Sequence, residues 1–135
     1  VVSGPYSVFR TDKALEKEGI VLDYGDFKIK VARAGGSNAA FQKALTSKIR
    51  PYKRQIDAGT IPDDVAEKLF LDVYAESVVL GWEGVTDEKG KPLPFSKENA
   101  VKLFSDLPDL FRDVQNQAAA ISNFRAEVTE DTIKN

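Results

Sequence analysis

From Phe27 to Val31 the chain alternates Phe, Lys, Ile, Lys, Val, a period of two that sends one side inward and a basic side outward. Ile20 to Tyr24 precedes it, and Tyr24-Gly25-Asp26 supplies turn chemistry, so the two runs read as a β-hairpin. Two strands alone are marginal in water, and the apolar face of this pair needs helices to cover it. Before the hairpin, TDKALEKEG (residues 11 to 19) reads as a short helix with Thr11 as its cap and Gly19 as its end.

After Gly35-Gly36 the period changes. Phe41, Leu45, Ile49, Tyr52 and Ile56 recur at helical spacing behind a cap at Ser37 or Asn38. Pro51 interrupts this stripe: it cannot donate to the carbonyl of Ser47 and its ring crowds that turn, which predicts a kink or break near Arg50. Gly59 ends the segment. A second helix opens at Pro62 with Asp63 and Asp64 at its positive end, and carries a narrow polar stripe of Asp64, Lys68, Asp72 and Glu76. Its other faces are apolar as far as Val78, Val79 and Leu80, which marks a central helix. Residues 81 to 95 form a Gly/Pro-rich loop, Ser96 caps KENAVKLFSD, and a last helix starts near Pro108 with Leu110, Phe111, Val114, Ala118, Ile121 and Phe124 on one side.

These elements predict an α+β fold, predominantly α-helical: an N-terminal β-hairpin followed by a bundle of about four helices. One domain over 9 to 125 accounts for the length, with residues 1 to 8 and 126 to 135 expected as flexible ends. Methionine is absent even at position 1, so the first residues are read as a trimmed or engineered end.

Composition removes more chemistry than it adds. With no cysteine and no histidine there is no disulfide, thiolate or imidazole metal site, thiol nucleophile or imidazole-based triad. No cofactor or metal is expected, and no catalytic residue. Asp106, Asp109 and Asp113 near a helix start read as dipole complementation, and Asp23 with Asp26 as turn chemistry. Asp87, Glu88 and Gly90 lack the alternating ligands of a calcium loop, and no GKS/T follows Gly35-Gly36-Ser37 to make it a phosphate cradle. No apolar run is long enough to span a membrane, and the N-terminus lacks the features of a signal peptide; a soluble, cytoplasmic protein is expected.

The net charge of −2 hides a segregation. Between Asp26 and Asp57 lie eight bases and no acid, whereas Asp57 to Glu88 holds nine acids against the single base Lys68, so adjacent blocks carry +8 and −8. Such blocks can pair internally, pair between copies, or meet a charged partner. Lys43, Lys48, Arg50, Lys53 and Arg54 are the candidate partner-binding residues, against the plainer reading of a solvated helix face. Asp64, Asp72 and Glu76 are the candidate acidic face for self-association. Pro51, Phe41, Phe95, Phe111 and Trp82 are read as structural, with Trp82 pinning the 81–95 loop to the core rather than displayed as a handle.

DYGDFKIKVARAGGSNAAFQKAL (23 to 45), PYKRQIDAGT (51 to 60), the acidic apolar helix, and GWEGVTDEKGKPLPFSKENA (81 to 100) occur in an order that resembles the tail assembly chaperones of long, flexible-tailed bacteriophages and prophages. The resemblance spans residues 9 to 125. It implies a non-catalytic protein of the host bacterial cytoplasm, absent from the mature virion. Such a protein keeps the helical tape measure protein soluble and recruits tail tube subunits. Many such chaperones are made in two lengths by programmed frameshifting, and this chain is similar to the short form, with the longer form as a further partner. The kinked helix from Asn38 to Ala58 is the expected docking face, and coating a filament favours a homo-oligomer in which the +8 and −8 blocks meet between neighbours. A small adaptor binding a folded partner is the rival reading. An RNA-binding module using the 28–54 block ranks lower, because the pI is acidic and nucleic acid is disfavoured as a partner.

Overall fold

The computed structural model describes residues 4–126. Two short helices, α1 (Pro5–Phe9) and α2 (Lys13–Glu18), lead into β1 (Ile20–Asp23) and β2 (Lys28–Val31). Then come α3 (Ala39–Ile49), a 3-10 turn (Arg50–Tyr52), α4 (Lys53–Ala58), α5 (Asp63–Ser77), β3 (Val79–Glu83), α6 (Lys97–Asp106), α7 (Pro108–Ala119) and a closing 3-10 turn (Ile121–Asn123). The fold is α+β and dominated by helix, as the periodicities predict. The expected flexible N-terminal segment contains α1; of the expected polar tail, residues 127–135 lie outside the described residues.

The hairpin forms with the predicted facing. Ile20 pairs with Val31 and Leu22 with Ile29, and these side chains share the inner face while Lys28 and Lys30 stand exposed. It does not stand alone. Val79–Glu83, expected as helix end and loop, is a third strand antiparallel to β2, giving the order β1-β2-β3. Helix α5 therefore stops at Ser77, before the β-branched pair Val78-Val79, which favours extended backbone. Its last carbonyls find partners outside the helix. The Asn38 amide donates to Ser77 O at 3.0 Å, and Ala32 N–H donates to Val78 O at 2.8 Å. Asn38 thus sits at the N-cap position of α3 but uses its side chain to tie down the end of α5.

Smaller differences have local causes. Asp12, not Thr11, caps α2, accepting from Leu15 N–H at 3.1 Å. Pro62 occupies the N-cap of α5 rather than its first turn. The α7 stripe continues past the helix, with Phe124 fully buried beyond the closing turn. There Asp12 N–H donates to Phe124 O and Ala126 N–H to Arg10 O, so the segments flanking α2 and following α7 are laced together. The predicted break at Pro51 is present: α3 ends at Ile49, the 3-10 turn carries the proline, and α4 ends at Gly59 in the left-handed region. Ser96 caps α6 by accepting from Asn99 N–H at 3.0 Å.

The core lies between the inner face of the sheet and helices α5, α6 and α7, with Phe41 of α3 at its margin. Tyr74 of α5 is edge-on to both Phe41 and Phe111, at 5.8 and 5.4 Å between ring centres, and Phe104 lies 5.5 Å from Phe111. Phe111 is buried and Phe41 half-buried. Burying such side chains stabilises the fold by about 1.5–3 kcal/mol each, and aromatic edge contacts add to that.

The bulge in β3 opposite Lys30 and Val31 leaves Leu80 over Gly19, where φ is +95° and a Cβ would stand 2.8 Å from both Leu80 Cδ1 and Val31 O. Gly19→Ala is expected to destabilise the fold by about 2 kcal/mol through backbone strain and this close approach. A urea titration followed by Trp82 fluorescence measures it.

Candidate protein-docking surface

The loop that resembled a phosphate cradle is occupied by the protein's own carboxylate. Glu16 of α2, 1% exposed, accepts from Thr11 Oγ1 and Ser37 Oγ, each at 3.0 Å, and from Arg33 Nη1. Gly36 has φ +53°, and a Cβ there would overlap Glu16 Oε2 at 1.9 Å. Burial raises the Glu16 pKa, but the Arg33, Ser37 and Thr11 donors and the Arg33 charge outweigh it, so the group lies below the ordinary carboxylate range. The cluster joins α2 to the β2–α3 connection.

Four of the remaining candidate acids, Asp23, Asp87, Asp109 and Asp113, are also engaged by their own structure. Asp23 Oδ1 accepts from Gly25 N–H, and Asp87 Oδ1 from Lys89 and Lys91 N–H, both in turns. Asp109 pairs with Arg112, whereas Asp113 accepts from the Tyr24 hydroxyl at 2.6 Å, fastening the hairpin turn to α7. Burial, and then this carboxylate, push the Tyr24 pKa upward. Among the described residues no three acids gather as a metal site. Trp82 lies opposite Ile29 on the inner face, half-buried, its indole N–H donating to Leu93 O at 2.8 Å and its ring edge-on to Phe95 at 5.0 Å. It closes the 84–95 loop back onto the strand.

The two charge blocks meet in part within one molecule. Lys28 pairs with Glu83 across β2 and β3, Lys53 with Asp57 along α4, and Lys48 with Glu76, which Lys97 also approaches. Asp72 pairs with Lys68 at 2.8 Å. Among the described residues, Lys43, Arg50 and Arg54 have no acidic partner within ion-pair distance, nor has Asp64. Surface pairs of this kind contribute little to stability, so the unpaired charges remain available for other contacts.

The kinked helix carries its apolar stripe beyond the body. Phe41, Leu45, Ile49 and Tyr52 are half-buried, but Ile56 is 38% exposed and every residue of α4 is exposed. Helix α5 returns alongside, its Phe70 44% exposed. Between Tyr52 and the α5 residues Val65, Lys68, Leu69 and Asp72 runs an open groove of about 420 Å³. Helix α4 therefore overhangs the body beside a groove in which Tyr52, Val65 and Leu69 are interleaved with Asp64, Lys68 and Asp72; Arg50 and Arg54 are exposed before and within α4, and Asp63 and Asp64 at the start of α5.

A family model described as the YdaY prophage protein matches residues 36–135. The chain belongs to this family. No curated protein and no solved structure matches it. The matched residues take in the whole kinked helix, α5, β3 and the Trp82 loop, so the overhanging tip lies in the part that defines this YdaY chain as prophage-derived.

The helical spacing identified the stripe but not the groove, because Val65 and Leu69 look in sequence like core positions of α5. Glu16 left no sequence signal as a buried anion, since Arg33 and Ser37 reach it only once the hairpin has folded. Because the folded Glu16 pKa lies below the unfolded value of about 4.3, the folded state binds fewer protons near that pH. The stabilisation is present above the unfolded pKa and is lost as pH falls through it toward the folded pKa. Urea midpoints should therefore drop as pH falls below the unfolded pKa of about 4.3, and Glu16→Gln should lower the midpoint at pH 7 and flatten that dependence. An unchanged slope in the variant would assign the acid sensitivity elsewhere.

Proposed function

We propose that this prophage-derived protein is a non-catalytic chaperone of tail assembly that holds a helical stretch of the tape measure protein at the α4–α5 tip until tail tube subunits polymerise around it. The observation that carries this reading is an amphipathic groove beside the overhanging helix: Tyr52, Val65 and Leu69 line it together with Asp64, Lys68 and Asp72, and Ile56 continues the apolar stripe toward solvent. An amphipathic helix laid into such a groove buries its apolar face, and acids on its flank would meet Arg50 and Arg54. The motifs at 51–60 and 81–100 that resemble tail assembly chaperones both fall within the residues matched by the prophage family. On this reading the protein acts in the host cytoplasm, leaves before the virion is complete, and has a longer frameshifted form as a companion. An RNA-binding role fits less well, because Lys28, Lys48 and Lys53 of the basic block already face carboxylates.

The test is co-expression with the tape measure protein encoded in the same prophage. Wild-type chain should raise the soluble tape measure fraction severalfold, and Ile56→Asp, a change at an exposed position, should remove most of that gain. Equal soluble yield with and without the wild-type chain would refute the chaperone reading. Retention of the full gain by Ile56→Asp would place the client elsewhere.

A further inference from the structure

We infer that the cleft between the 84–95 loop and α6 receives the α4 tip of a second copy of this chain. The cleft encloses about 240 Å³ over Leu93, Leu103 and Leu107, and Leu107 is 48% exposed. Its rim is acidic: Asp87 and Glu88 stand on the loop side and Asp106 on the helix side, against the single cation Lys102. Asp87 is held by the amides of its own turn, whereas Glu88 and Asp106 have no side-chain hydrogen bond or ion pair among the described residues. An aliphatic floor with two free carboxylates at its rim calls for an apolar knob flanked by cations.

The chain carries such a knob. Ile56, 38% exposed, lies one helical turn beyond Tyr52, and the exposed Arg50 and Arg54, four residues apart, stand on an adjoining side of the same segment. Arginine is suited to this role because its planar fork can grip a carboxylate bidentately and it is less strongly hydrated than lysine. The acidic side expected from the sequence, Asp64, Asp72 and Glu76, is less free: Asp72 is bonded to Lys68, and Glu76 is shared by Lys48 and Lys97. Knob and cleft are different patches, so every copy offers one of each to its neighbours. This inference does not rest on the tape measure reading, although both engage Ile56; a client helix seated on the tip would displace the neighbouring copy.

Sedimentation of the purified chain, without any tape measure protein, tests it. The wild-type sedimentation coefficient should rise with protein concentration at low salt and do so less at high salt. Arg50→Glu with Arg54→Glu, and separately Glu88→Lys with Asp106→Lys, should each weaken association by about tenfold or more through like-charge contact. All four sites are exposed, so the circular dichroism and Trp82 emission should stay those of the wild type. The chain carrying all four reversals should associate again, and so should a mixture of the two double variants. A wild type that stays monomeric at every concentration would overturn the inference. So would a double variant that associates as the wild type does, or a four-fold variant and a mixture that both stay monomeric.

Discussion

The pairing of β3 onto β2 is the constraint on which the rest of this molecule depends. A hairpin of Ile20–Asp23 and Lys28–Val31 cannot bury its inner face unaided, and the third strand both widens that face and joins it covalently to α5. Because Val79 must meet Val31, α5 has to end at Ser77, and the β2–α3 connection is drawn in to satisfy the carbonyls left open there. With its C-terminal end fixed over the sheet, α5 buries Leu71, Tyr74 and Ala75, while Phe70, at its midpoint, is 44% exposed on another face. The overhang of α4 is a consequence of the same anchoring: α3 is held to α5 near Phe41 and Asn38, and the break at Pro51 lets its last turns depart from the body.

That geometry sorts the charges into those already paired and those without an ion-pair partner among the described residues. Glu16 is buried against the half-buried Arg33, and the pair joins α2 to the β2–α3 connection; Lys28, Lys48 and Lys53 are matched by Glu83, Glu76 and Asp57. Arg50 and Arg54 remain beside an exposed isoleucine, and Glu88 and Asp106 remain beside exposed leucine. These two patches are the surfaces on which the proposed partner contacts rest. Membership in the YdaY prophage family gives the chain a prophage origin.

Much of the fold was legible because its signals are local. The Phe27–Val31 alternation, the Ser96 cap, the proline break at 51 and the α7 stripe each act within a few residues, and each appears at its predicted place. The third strand was not legible, because Val78-Val79-Leu80 is an apolar run that a buried helix and a buried strand share, and only the exposed edge of β2 decides between them. The candidate site divides the same way. The basic face of the kinked helix could be read from spacing, but which of its charges are already paired could not: Lys48 meets Glu76 only after α3 and α5 pack. The acidic cleft joins Glu88 to Asp106 across the Pro-rich loop, a juxtaposition with no periodic trace.

Amide hydrogen exchange on the intact chain tests the central claim, that β2–β3 pairing anchors a rigid body from which the α4 tip stands free. The account predicts that amides of β2, β3 and the Leu71–Ser77 half of α5 exchange together and slowest, near the global unfolding limit, while those of α4 exchange far faster in the dilute, unassociated chain. Amides of β3 exchanging as fast as those of the 84–95 loop, or α4 protected as strongly as α5, would contradict it.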